Sequence, residues 1–110
     1  MSLKVVILNS AKQDLKELRS YVLARFSDSV WSDTSMQLKK AMQLLSVTPY
    51  AGAVPEEIET LNLSEYRQIV SGKNRIIYEI RQEFVFIHAV IDVRRDMVSL
   101  LTRRLLRISH

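Results

Sequence analysis

The spacing of hydrophobic positions changes several times along this 110-residue chain, and each change marks an element boundary. Residues 3–8, LKVVIL, form a short, mostly apolar run of strand length. After Ser10 the period becomes helical: Ala11, Leu15, Leu18, Val22 and Phe26 recur three or four residues apart, with Lys12, Lys16, Glu17 and Arg19 turned away. Ser10, with Gln13 three residues on, reads as a capping box. A second helix is predicted from Asp28 or Ser29, with Trp31, Thr34, Leu38, Ala41, Met42 and Leu45 on its buried stripe and Pro49 as its stop. The connection between the two is short, which predicts an antiparallel helical hairpin.

Residues 50–65, YAGAVPEEIETLNLSE, form the one long connection; it is acidic and holds no basic residue. From Tyr66 the period is two. YRQIV, the turn Ser71-Gly72-Lys73-Asn74 and RIIYEIR make a β-hairpin signal, and a second turn near Gln82-Glu83 leads into FVFIHAVIDV. Strict alternation places Val85, Ile87, Ala89, Ile91 and Val93 under the helices, with Phe84, Phe86, His88, Val90 and Asp92 on the opposite face. In the preceding strand Ile76, Tyr78 and Ile80 point inward, and Arg75, Ile77, Glu79 and Arg81 outward. A last amphipathic helix, MVSLLTRRLLRI, follows Arg94-Arg95-Asp96. The predicted fold is α+β, in the order β-α-α-β-β-β-α. It is a single domain over residues 1–110, with a small antiparallel sheet, a helical hairpin on one of its faces and a C-terminal helix.

Composition narrows the chemistry. With 47% hydrophobic and 25% charged residues the chain is ordinary globular material. The longest apolar runs fall far short of the roughly 20 residues of a membrane span, so no membrane partner is expected. No leader is expected either, since Lys4 and Asn9 bracket only Val5 to Leu8. The absence of cysteine excludes disulfides, a thiolate metal site and a cysteine nucleophile, and two histidines, His88 and His110, are too few for a histidine-rich metal site. No metal or cofactor is therefore expected, and the compartment is read as cytoplasmic. The net charge of +4 points to an anionic partner.

That charge is polarised. Acids gather before the sheet, while Arg94, Arg95, Arg103, Arg104 and Arg107 gather at the end. Arg67, Arg75, Arg81 and Arg94 are assigned to the open sheet face, where guanidinium groups hold carboxylates or phosphates; the plainer reading is that Glu79 and Asp92 neutralise them. Phe84 and Phe86 on that face need a cover, which implies a partner segment lying across them. His88 has no motif-placed nucleophile beside it and reads as structural. Trp31, near the hairpin tip, reads as core packing or as an interface anchor.

The opening VVILNSAKQDLKEL, the strand Tyr66-Arg67-Gln68-Ile69, the strand RIIYEI and the closing Ile87-His88-Ala89-Val90 into Arg94-Arg95-Asp96 follow one another in an order that resembles toxins of the RelE/ParE superfamily, from bacterial type II toxin–antitoxin modules. The resemblance spans nearly the whole chain. It implies a sheet with the first strand beside the last, and a cognate acidic antitoxin of ParD type wrapped around the toxin, covering Phe84 and Phe86. RelE-like members cut messenger RNA on the ribosome; ParE-like members bind DNA gyrase. Where RelE-like members carry lysines this chain has EEIETLNLSE, and where they carry a terminal tyrosine it has Ser99, Leu100 and Leu101. The arginines remain, but arginine is always protonated and moves protons poorly. The ParE-like reading is therefore favoured: a gyrase inhibitor with no catalytic residue. In it, Arg67, Arg75, Arg81, Phe84, Phe86 and Arg94 bind antitoxin, and Trp31, Arg95, Arg103, Arg104 and Arg107 bind the target. The alternatives are a ribosome-dependent messenger-RNA endoribonuclease using His88 or His110, and an inactive remnant that only binds antitoxin.

Overall fold

A computed structural model describes residues 2–55 and 65–93. The chain runs β1 (Lys4–Ile7), α1 (Asn9–Arg25), α2 (Asp28–Val47), a 3-10 turn at Pro49–Ala51, β2 (Tyr66–Ser71), β3 (Asn74–Arg81) and β4 (Phe84–Asp92). The expected C-terminal helix, with Arg94, Arg95, Arg103, Arg104 and Arg107, lies outside the described residues, as does most of the acidic connection. The sheet order is β1-β4-β3-β2. Strands β2, β3 and β4 are antiparallel, and β1 joins the edge of β4 in parallel, so the first strand does lie beside the last.

The helical hairpin covers one face. Ala11 from α1 and Leu38, Met42 and Leu45 from α2 close over Ile76, Tyr78, Val85, Ile87 and Val90. Ser27 caps α2, its hydroxyl accepting the Val30 N–H at 3.3 Å. Phe26, expected on the buried stripe of α1, is instead 61% exposed. It follows the last helical residue with φ −129° and ψ −112°, so its side chain leaves the stripe and rests edge-on against Tyr21.

Alternation along β4 fails at His88. Ile77 faces Ala89 but Tyr78 faces Ile87, so His88 is an extra residue: a β-bulge. Beyond it the faces exchange. Val90, opposite Ile76, enters the core, while Ala89 and Ile91 turn to the far face, the reverse of the expected order. Asp92, opposite Asn74, likewise moves to the helix side. Helix α1 holds the bulge. The Ser10 hydroxyl donates to the His88 carbonyl at 2.8 Å, and the buried Asp14 carboxylate accepts the Val90 N–H at 2.9 Å. Ser10 is thus no capping residue: α1 begins at Asn9, Leu8 stands at its N-cap without a side-chain bond, and Gln13 bonds Glu17 instead.

A second anchor fixes the stretch after α2. The buried Tyr78 hydroxyl donates to the Pro49 carbonyl at 2.8 Å and accepts the Gly52 N–H at 2.9 Å. Gly52 lies so close to β2 that a methyl group there would collide with the Gln68 carbonyl.

Candidate functional site

The face away from the helices is built by alternate residues of four strands: Val6 of β1, Phe84, Phe86 and Ala89 of β4, Ile77, Glu79 and Arg81 of β3, and Tyr66 and Gln68 of β2. Its centre is closed, with Ile77 and Ala89 fully buried. Its rim is not. Phe84 and Phe86 are half-buried and stack on each other, ring centroids 5.6 Å apart and planes 23° apart. Beside them the Arg81 side chain is 71% exposed, yet its Nε donates to Glu79 Oε2 at 2.8 Å.

Glu79 is the hinge of a short polar row. Its other oxygen meets His88 Nε2 at 2.9 Å, and both residues are buried. The bulge makes this possible, because the extra residue turns the imidazole toward Glu79 on the neighbouring strand. Tyr66 packs edge-on to the imidazole at 5.0 Å. Burial first, then the negative charges of Glu79 and Glu65, push the Tyr66 phenol up from its ordinary 10.0, with Arg81 pulling the other way. A phenol so shifted stays protonated at neutral pH and takes no proton from a substrate. His88 Nδ1 has no hydrogen-bond partner among the described residues. Sequence reasoning treated Glu79 as a surface counter-ion and missed this row. The available signal was a carboxylate inside the apolar run RIIYEI, which must find partners when buried.

The profile of the ParE toxin of type II toxin–antitoxin systems, parDE, matches residues 5–97. The chain belongs to the ParE toxin family. No curated protein matches it. Among solved structures, a chromosomal ParDE toxin–antitoxin system from P. aeruginosa superposes with a TM-score of 0.70 at 10% identity, over 84% of this chain and 98% of the other. The RelBE2 toxin–antitoxin complex from Mycobacterium tuberculosis gives 0.56 at 23% identity, over 84% and 99%. A conserved hypothetical protein from Helicobacter pylori gives 0.51 at 17%, over 83% and 94%. At these identities the likeness is one of fold, an α+β fold.

In this ParE-family toxin the expected site residues divide. Arg75, Arg81, Phe84 and Phe86 share the far face as anticipated. Arg75 reaches the Val93 carbonyl at 3.2 Å and Gln68 Oε1 at 3.4 Å. Arg67 does not join them. It lies opposite Tyr78, on the helix side, where it donates to the Gly52 carbonyl at 2.7 Å and stacks over Tyr50 at 4.8 Å. Alternation from Tyr66 sets this parity: Tyr66 faces Glu79 on the far side, so Arg67 must point the other way. Trp31 is half-buried between the helices near the hairpin tip. Arg94, Arg95, Arg103, Arg104 and Arg107 fall outside the described residues.

Proposed function

We propose that this toxin arrests growth by binding DNA gyrase, without a catalytic step of its own, and that an acidic antitoxin neutralises it by lying across the far face of the sheet. The observation that carries the reading is the match of the ParE toxin profile to residues 5–97. The geometry of the rim supports the antitoxin part. Stacked Phe84 and Phe86 offer apolar area, and exposed Arg81 with half-buried Arg75 on the same face offers guanidinium groups to carboxylates. Target contacts are assigned to Trp31 and to Arg95, Arg103, Arg104 and Arg107. The endoribonuclease alternative draws on His88, but that imidazole is 6% exposed with Nε2 committed to Glu79. Such a group is better placed to hold β4 to β3 than to meet an RNA hydroxyl.

Purified toxin is expected to block gyrase supercoiling of relaxed plasmid in vitro, and to leave messenger RNA intact in a cell-free translation reaction. Ribosome-dependent cleavage of that RNA overturns the reading. For the antitoxin surface, Phe84→Ala/Phe86→Ala should lower affinity for the antitoxin while gyrase inhibition persists.

A further inference from the structure

The outer side of the helical hairpin carries a charged groove that the antitoxin reading does not use. A groove of about 590 Å³ runs between α1 and α2, lined by Arg19, Leu23, Trp31, Ser32, Ser35 and Lys39 among others. Lys12 and Lys16 precede Arg19 by seven and three residues, so the three cations share one flank of α1, and both lysines are exposed. None of Lys12, Lys16, Arg19 and Lys39 forms an ion pair among the described residues. The acids of α1 lie elsewhere: Asp14 is buried, and it lines with Glu17 a different cleft, on the β4 side. Asp28 is the one carboxylate lining the groove; it sits at the N-terminus of α2, where the helix dipole favours a negative charge.

We propose that this groove binds the phosphate backbone of duplex DNA. Seven helical residues span about 10 Å, so Lys12, Lys16 and Arg19 form a row of charge. Lys39 faces them from α2, across a helix-to-helix separation of about 8–10 Å. A row of three cations faced by one lysine at that spacing suits the two phosphate rows bordering a B-form groove, about 6 Å wide on the minor side and about 12 Å on the major side. Ser32 and Ser35, one turn apart on the groove wall, add hydroxyl donors of the kind that position a protein on phosphates. A single-strand platform needs a series of exposed aromatic faces for stacking; here Trp31 is the groove's only aromatic residue and is half-buried. The proposal goes beyond the gyrase reading and stands or falls without gyrase present.

The test uses the full chain and a fluorescein-labelled DNA duplex of about two helical turns. Trp31 is the single tryptophan, so its emission reports on the groove while anisotropy reports on total binding. Saturable binding with a change in Trp31 emission is expected, and the logarithm of affinity should fall with that of salt concentration with a slope of about −3. Lys16→Glu/Arg19→Glu/Lys39→Glu should weaken binding by about tenfold or more and remove most of that slope. Should that variant fail a melting check, Lys16→Gln/Arg19→Gln/Lys39→Gln removes the charge without reversing it and should act in the same direction. Arg103→Gln/Arg104→Gln/Arg107→Gln should keep the Trp31 response. No binding, binding without a Trp31 response, unchanged affinity of the stripe variant, or tighter binding of an RNA duplex of the same sequence would each overturn the proposal.

Discussion

Replacing Tyr78 by Phe removes one oxygen atom and two hydrogen bonds. The ring stays, fully buried among Ile76, Ile87 and Leu45, so no large cavity opens. What is lost is the link to Pro49 O at 2.8 Å and Gly52 N at 2.9 Å. The two ends differ. Gly52 is buried, so its N–H is left without water, at a cost of about 1–3 kcal/mol. The Pro49 carbonyl is half-exposed and recovers a solvent partner, leaving a net loss of about 0.5–1.5 kcal/mol. The expected destabilisation is about 2–4 kcal/mol, taken from a total that for a domain is about 5–15 kcal/mol. The variant should therefore fold but melt early. Urea unfolding followed by Trp31 fluorescence measures this, with an unchanged slope against urea as the sign of an intact two-state transition. Arg67→Ala provides the second arm, because Arg67 grips the carbonyl of the same Gly52. The two substitutions should couple by about 0.5 kcal/mol or more in a double-mutant cycle. A loss below about 0.5 kcal/mol in Tyr78→Phe would refute the claim that this hydroxyl anchors the Pro49–Ala53 stretch, because even one orphaned amide costs more than that.

Asp14→Ala, which strips the acceptor from the Val90 N–H beside the bulge, should cost about 1–3 kcal/mol in the same urea assay and speed exchange of the Val90 amide. Gln82 turns the β3–β4 hairpin with φ 53°, so Gln82→Gly should stabilise the chain by about 0.5–1 kcal/mol, read as a higher urea midpoint. At alkaline pH, Tyr66 and Tyr78 are both raised above 10.0, chiefly by burial. Their contribution is fully present below pH 10 and lost as pH climbs through the raised folded-state values, because the unfolded chain ionises first. Stability measured from pH 9 upward should therefore fall, and fall less steeply in Tyr66→Phe.

The helical hairpin, the four strands and both β-turns were legible because each rests on local spacing and turn chemistry. The faces were legible only as far as alternation holds. One extra residue at His88 inverted the assignments from Ala89 to Asp92, and nothing local marks that residue, because the bonds that stabilise it come from Ser10 and Asp14, more than seventy positions earlier. Arg67 was misplaced for a related reason. Arginine invites a surface reading, but its position after Tyr66 commits it to the helix side, where the Gly52 carbonyl and Tyr50 receive it. Phe84, Phe86 and Arg81 were placed correctly because they precede the bulge.

The parallel pairing of β1 with β4 also governs when the protein can become itself. Lys4–Ile7 find their partners only at Phe84–Ile87, and the core residue Val90 comes later still. The hairpin α1–α2 and the meander β2–β3–β4 can assemble from neighbours in sequence, but β1 must wait for nearly the whole chain to emerge during synthesis. Closure of such a distant contact is a late event, because the paired residues stand 80 positions apart. A nascent chain that stops short of β4 lacks one of the two inner strands of the sheet, and so cannot present the far face or its rim. Emergence of β4 and acquisition of the binding surface are thereby tied to a single event.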